Sequence, residues 1–478
     1  MKETIDTDVL IIGAGSAGLY ALREVRRAGR NFLLVDRGPL GTTCARVGCM
    51  PSKVALHAGA EWATRRALSG IGVSGIDGLS IDLRSTWAAL RRQRDVFANN
   101  GAGAARAAAG DKLIEAEARF IEPNLVELKS ADGSRQVRAR AVIIATGSRP
   151  VMPGFLEPVR DRTINTDTLF EQDTLPRSIG VLGLGAIGLE MGLALSRLGV
   201  RVVGADLAPE LGGIKDPVIG QRARECFGRE MELWLGAETR LARSHGGVVL
   251  SAGEHETEVE LLLAALGRRP NTDELGLQAA GFPLDERGSP RFEPATMQIG
   301  ALPVFIAGDA NADRPLMHEA ADEGAIAGYN AARDTVTRFA RKTSIGIAFT
   351  NPDVVTVGTH FDQLDADRIV IGSASGDRNG RSQILGAGDS LLRVYADATD
   401  GRLLGASMVA TGGEHLAHLL AWAIQRGETA ADLLRLPFYH PTIEEMLQSA
   451  VQDIVTQLPA STPLPFGLVP ADTPSSSS

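Results

Sequence analysis

The chain has 478 residues, of which 44% are hydrophobic and 22% charged, enough for two to four packed domains and unlike a disordered protein. A net charge of −9 argues against a nucleic-acid partner, which needs a basic surface, and no run of eighteen uncharged apolar residues exists to span a membrane. The three cysteines, Cys44, Cys49 and Cys226, make neither a disulfide framework nor a zinc-ligand cluster.

The first apolar run, residues 9–12, is too short for a signal peptide and passes straight into glycines, so a cytoplasmic protein is expected. That run predicts a buried parallel strand. It is followed by a turn, Gly13-Ala14-Gly15-Ser16-Ala17-Gly18, and a helix reaching about Arg27. A second strand over residues 32–35 ends at Asp36, 23 positions after Gly13. An acid at that distance is placed to accept hydrogen bonds from an adenosine ribose while the helix N-terminus faces a pyrophosphate. One such glycine pattern alone is weak. Strand, helix and acid together make a dinucleotide site the favoured reading over a structural turn.

The pattern recurs. Residues 179–182 form a strand, Gly183-Leu184-Gly185-Ala186-Ile187-Gly188 the turn and residues 189–198 the helix, and a second strand ends at Asp206, again 23 positions on. Two units imply two dinucleotides. Leu207, Ala208 and Pro209 follow the second acid where a 2′-phosphate would call for Arg or Lys, so NAD is favoured over NADP. Between the units lies a strand at 141–145 closed by Thr146-Gly147-Ser148-Arg149-Pro150, read as a crossover. A central segment carries a strand at 304–307 before Gly308 and Asp309. From residue 343 short strands at 345–350, 354–358 and 391–395 and a helix at 413–426 suggest a separate α+β domain. The expected division is 1–149 for the first dinucleotide domain, 150–270 for the second and 271–340 for a segment returning to the first. Residues 341–458 would form an interface domain and 459–478 a disordered tail.

Cys44-Ala45-Arg46-Val47-Gly48-Cys49 is the most informative stretch. Residues five apart on an ideal helix are roughly 8 to 9 Å apart at Cα, whereas a disulfide needs roughly 4.4 to 6.8 Å. If the two bond, the helix must be distorted or must begin between them; Gly41 and Gly48 permit unusual backbone angles and Pro51 is tolerated only in a first turn. A redox disulfide at a helix entrance and two unlinked buried thiols both remain open on spacing alone. Cys226 reads as a core thiol. Near the end, His440 is suited to proton transfer near neutral pH, with Glu445 as the carboxylate that orients it. Glu414, His415 and His418 read as a polar helix face, since no third metal-ligand motif accompanies them.

The motif series GAGSAG with Asp36, GTTCARVGCMPSK, ATGSRP, GLGAIGLE with Asp206, GRRPN, AGDA, LMHEAADEG, FTNP and HPTIEE resembles the flavoprotein disulfide reductases, within them most the dihydrolipoamide dehydrogenases. The resemblance runs from about Thr7 to about Leu458. It implies an α/β fold of two Rossmann-like domains and a C-terminal α+β dimerisation domain. It also implies FAD at Gly13, Gly15, Gly18, Asp36, Lys53, Ala118, Thr146, Gly147, Ser148, Asp309 and Pro315, Leu316, Met317 and His318. NAD would be held at Gly183, Gly185, Gly188, Asp206 and Gly267, with Glu190 near the nicotinamide and paired with Lys53. Cys44 would be the interchange thiol and Cys49 the thiol near the flavin. His440 with Glu445, supplied by the other subunit of a homodimer, would deprotonate a dihydrolipoyl group on a carrier protein, whose oxidation reduces NAD. The open alternatives are an NAD(P)H-dependent reductase of another disulfide and a non-catalytic subunit of a lipoyl complex. The sequence departs from the family at Ala45-Arg46, where a Leu-Asn pair is usual, at Asp36, usually glutamate, and at Ala118, in a region usually glycine. Arg46 is expected to favour the Cys44 thiolate or an acidic carrier.

Overall fold

The apolar run at 9–12 ends a nine-residue strand, Thr4–Ile12, in a computed structural model that describes residues 4–459 and 464–471. It lies between two parallel neighbours, Phe32–Asp36 and Gly133–Ile144. Val9, Leu10 and Ile11 are fully buried because helices cover one face and a further strand layer the other, which is why this strand reads as unbroken hydrophobics rather than alternation. Val304–Ile306 extends the same sheet in parallel beside Gly133–Ile144, and Leu113–Glu115 closes the other edge. The helix Met317–Ala331 packs along the helix Ser16–Arg27, so the central segment returns to the first unit.

The second unit is a five-stranded parallel sheet in the order Glu232–Leu235, Arg201–Asp206, Ser178–Leu182, Leu261–Ala264, Thr163–Asn165. A three-stranded antiparallel meander, Thr239–Arg243, Val248–Ala252 and His255–Val259, lies against it. The third unit is an antiparallel sheet ordered Ile345–Ala348, Asp353–Gly358, Leu403–Ala410, Leu391–Asp397, Ile369–Ser375, packed by helices Gly413–Arg426 and Glu445–Gln457. Fully buried Asp216 ties the second unit to the third: it caps the helix Pro217–Phe227 and accepts hydrogen bonds from Arg393 at 2.7 and 2.8 Å and from the Tyr395 hydroxyl at 2.7 Å.

Sequence reading does not find Ile369–Ser375, Leu403–Ala410 or the last helix. Both strands carry a central glycine, which weakens a strand signal. Gly372 is required by packing, because a Cβ there would lie 1.9 Å from the Ala450 carbonyl oxygen of the helix pressed onto the strand. Of the tail expected to be disordered, 460–463 and 472–478 lie outside the described residues. Gly467, in the described part, approaches Leu434 so closely that a Cβ would sit 2.1 Å from its carbonyl oxygen.

Candidate active site

Cys44 lies in a short helix, Thr43–Val47, and Cys49 opens the next one, Cys49–Thr64. The break between them is Gly48, at φ −120° and ψ −115°, where a Cβ would come within 3.2 Å of the Thr43 carbonyl oxygen and 3.3 Å of the Cys44 Cα. The helix therefore begins between the two cysteines, which brings their side chains together, and Pro51 falls in the tolerated first turn. Both are half-buried free thiols in hydrogen-bond contact. That shared bond lowers the Cys49 pKa to about 7, helped by the Lys53 ammonium and opposed by burial and Glu190. The same bond, with burial, raises Cys44. The dithiol thus keeps its proton on Cys44 and its negative charge on Cys49.

This corrects the thiolate part of the expectation for Arg46. Its guanidinium donates to the Pro39 carbonyl oxygen at 3.4 Å and lines a different cavity from the thiols, so it does not favour a Cys44 thiolate. The charge beside the thiols is Lys53. Its Nζ lies 2.8 and 2.9 Å from the two carboxylate oxygens of Glu190 and 4.7 Å from the Phe349 ring centroid, and Glu190 Oε1 also accepts the Phe349 N–H at 3.0 Å.

The thiols, Lys53 and Glu190 line a cavity of about 250 Å³ together with Gly15, Gly147, Asp309, Leu316 and Met317. A second cavity, of about 450 Å³, is lined by Gly13, Gly15, Asp36, Arg46, Ala118, Thr146, Gly147 and Ser148. Gly15, Thr43, Ala145 and Gly147 line both, so the two adjoin end to end along the glycine-rich turn. Asp36 accepts the Ala14 and Gly38 N–H groups, each at 2.7 Å, and so braces the turn while facing the larger cavity. The Asp309 carboxylate accepts the Ser148 hydroxyl at 2.6 Å, and Arg268 donates to Ser148 Oγ at 2.8 Å. His318 is exposed and does not line either cavity.

The residues fit a flavin dinucleotide. A Cβ on Gly18 would lie 1.9 Å from the Gly13 carbonyl oxygen, so the turn must be tight, whereas Gly15 faces open space. The helix Ser16–Arg27 has no side-chain N-cap, leaving its N–H groups for an anion. Thr146 Oγ1 is buried without a partner among the described residues. The second turn repeats the design: Gly188 would strike the Gly183 carbonyl oxygen at 1.9 Å, Gly185 faces open space, and the helix Ala186–Leu198 lacks a side-chain N-cap. Asp206 accepts the Leu184 and Ala208 N–H groups. Gly267 is exposed at a positive φ of 95°, with its carbonyl oxygen bound by the Val151 N–H.

His440 and Glu445 pair through Nδ1 and Oε1 at 2.9 Å, and Glu445 Oε2 accepts the Thr442 N–H at 3.0 Å. These bonds hold the Glu445 carboxyl below the usual range. The imidazole is strongly exposed and lines neither cavity of its own chain. In the polar helix face, His418 Nδ1 lies 2.6 Å from the Glu414 carbonyl oxygen.

Two contributors escaped sequence reading as site residues, although both fall in quoted motifs. Arg268, in GRRPN, braces Ser148. Fully buried Glu323, in LMHEAADEG, accepts the Gly308 N–H and Asn311 Nδ2 at 2.7 Å each and so holds the turn that carries Asp309.

Residues 7–325 match the family model described as pyridine nucleotide-disulphide oxidoreductase, and residues 345–451 match its dimerisation domain. The chain belongs to the pyridine nucleotide-disulphide oxidoreductases. Among similar members of the family, the dihydrolipoyl dehydrogenase of Haloferax volcanii is 30% identical over 474 residues, covering 94% of this chain and 97% of the relative. That of Thermus scotoductus is 30% identical, covering 94% and 98%, and that of Geobacillus stearothermophilus 28%, covering 94% and 96%. The fold matches LpdA from Mycobacterium tuberculosis at a TM-score of 0.82 and 22% identity, covering 93% of this chain and 99% of that one. It matches the HOCl-induced flavoprotein disulfide reductase RclA from Escherichia coli, as its Cu(II) complex, at 0.81 and 20%, covering 95% and 99%. This pyridine nucleotide-disulphide oxidoreductase is an enzyme of the class that uses FAD and NAD(H).

Proposed function

We propose that the protein is a dihydrolipoyl dehydrogenase that oxidises protein-bound dihydrolipoyl groups to the lipoyl disulfide and reduces NAD⁺. The observation that carries this reading is the Cys44/Cys49 pair held in contact at a helix entrance, with Lys53 beside it and an adjoining dinucleotide trough. The near full-length similarity to dihydrolipoyl dehydrogenases supports the substrate class.

In the proposed reaction His440 of a second subunit takes a proton from one thiol of the substrate, and Glu445 holds the imidazole in place for that transfer. The substrate thiolate attacks the Cys44 sulfur of the oxidised Cys44–Cys49 pair, and the electrons of the broken S–S bond leave on Cys49 as a thiolate. The second substrate thiol then displaces Cys44 from the mixed disulfide, closing the lipoyl ring and leaving Cys44 protonated. The preference of the dithiol for a Cys49 thiolate stabilises the leaving group. FAD, when bound, supplies the two-electron relay through which NAD⁺ reoxidises the pair. Gly13, Gly15, Gly18, Asp36, Lys53, Ala118, Thr146–Ser148, Asp309, Leu316 and Met317 are proposed to hold FAD; His318, which lines neither cavity, is left out of that set. Gly183, Gly185, Gly188, Glu190, Asp206 and Gly267 are proposed for NAD.

The active species is proposed to be a cytoplasmic homodimer. The match to the dimerisation domain supports a dimer, and so does His440, which does not line the thiol cavity of its own chain. Among the described residues no helix is long and apolar enough to cross a membrane. Steady-state NADH formation from NAD⁺ and dihydrolipoamide, then from reduced lipoyl domains, tests the reading. NADH formation with both supports it; absence with both rejects it.

A further inference from the structure

Arg46 stands beside the redox cysteines in sequence but turns away from them in space. Its guanidinium lines the larger dinucleotide cavity together with Gly13, Ala14 and Gly15. The guanidinium makes one hydrogen bond there, and the course of the preceding loop and the anchoring of its helix set its direction. Gly41, at φ +117°, lets the preceding loop pass so close that a Cβ would lie 3.3 Å from Arg46 Cδ and 2.6 Å from the Ala98 carbonyl oxygen. The Pro39 carbonyl oxygen accepts from Nη1 at 3.4 Å. Behind it, largely buried Arg94 donates to the Arg46 carbonyl oxygen at 3.3 Å, which anchors the short helix.

Two other cations on this cavity are balanced by carboxylates. Arg37 is paired with Glu274, and Arg149 with Asp273. Arg46 has no carboxylate partner among the described residues, and exposed Arg119 and Lys129 approach from the hairpin at the Ala118 side. A guanidinium without a carboxylate partner, on the same cavity as an uncapped helix N-terminus, provides a counter-charge for a dianion. We propose that Arg46 supplies a counter-charge to the diphosphate of the bound flavin dinucleotide and so sets the affinity for FAD. The inference rests on FAD occupancy, not on the choice of dithiol, so failure of dihydrolipoamide turnover would leave it standing.

The test follows flavin fluorescence as the FAD-loaded protein is diluted at low and at high ionic strength, giving the dissociation constant for FAD. For Arg46→Gln the constant at low salt should rise about tenfold or more, the loss of one charge-assisted contact. The difference from wild type should shrink at high salt, and Arg46→Lys should retain most of the salt dependence. An unchanged constant in Arg46→Gln overturns the proposal. Weakening of equal size at both ionic strengths also overturns it, because it would mark a packing role against Gly41 and Pro39. A normal FAD constant with a raised KM for lipoyl domains would assign Arg46 to carrier docking instead. Should Arg46→Gln not fold, Arg46→Asn is read against the same outcomes.

Discussion

Lys53 donates to both carboxylate oxygens of Glu190, at 2.8 and 2.9 Å, and this pair joins the helix that opens with Cys49 to the helix that follows the second glycine turn. Glu190 is almost wholly buried, so the pair is a fixed charge arrangement and not a solvated surface contact. It sets the electrostatics of the thiols, Lys53 favouring the Cys49 thiolate and Glu190 opposing it.

Removing either partner should move the Cys49 titration in opposite directions. In the reduced protein, alkylation of Cys49 by iodoacetamide should rise with pH about a midpoint near 7. Glu190→Gln should shift the midpoint down and Lys53→Met up, both read by mass spectrometry across pH. Because the folded value is depressed, the thiolate contributes stability to the reduced form that is present at alkaline pH and lost as pH falls through about 7.

Asp353 provides a second pH test, with the opposite sign. Burial, with the Glu414 carboxylate, raises its pKa to about 6, while the Glu414 and Gly413 N–H groups and His415 offset part of that rise. The folded state holds this proton more tightly than the unfolded chain, so stability falls as pH rises from about 4 to about 6. Asp353→Asn should therefore raise Tm by a few degrees at about pH 8 and leave it unchanged at about pH 4. Equal effects at both pH values would contradict this account.

The proposed acid–base role of His440 and Glu445 predicts a separation of turnover from cofactor binding. His440→Gln should lower kcat with dihydrolipoamide about 100-fold or more, and Glu445→Gln about tenfold, since Glu445 acts by holding the ring. Flavin content should stay at the wild-type level in both. Full activity in His440→Gln would remove it from the reaction.

The glycine turn separates packing from binding. Gly18→Ala forces a contact with the Gly13 carbonyl oxygen and should lower the Tm of the flavin-free protein, whereas Gly15→Val points into open space and should leave it unchanged. Both should lose FAD. Thermal unfolding with and without FAD distinguishes them.

Both glycine turns and the acids 23 positions beyond them were legible because parallel strands and tight turns write themselves locally. The cysteine spacing also carried its own constraint, and Gly48 meets it by starting a helix between the pair. The direction of Arg46 was not legible, since it depends on the loop at Gly41 and on Arg94, some fifty positions away. Arg268 and Glu323 were hidden for a similar reason: each acts by holding Ser148 or the Gly308 turn, a relation between distant segments. The strand Ile369–Ser375 was missed because Gly372 answers to a helix packed from eighty positions away.

The most direct test mixes the FAD-loaded protein anaerobically with dihydrolipoamide, and separately with NADPH, in a stopped-flow spectrometer. Rapid flavin reduction by dihydrolipoamide, dependent on Cys44 and Cys49, is expected, with NADH formed when NAD⁺ is added. Rapid reduction by NADPH with none by dihydrolipoamide would contradict the proposed function.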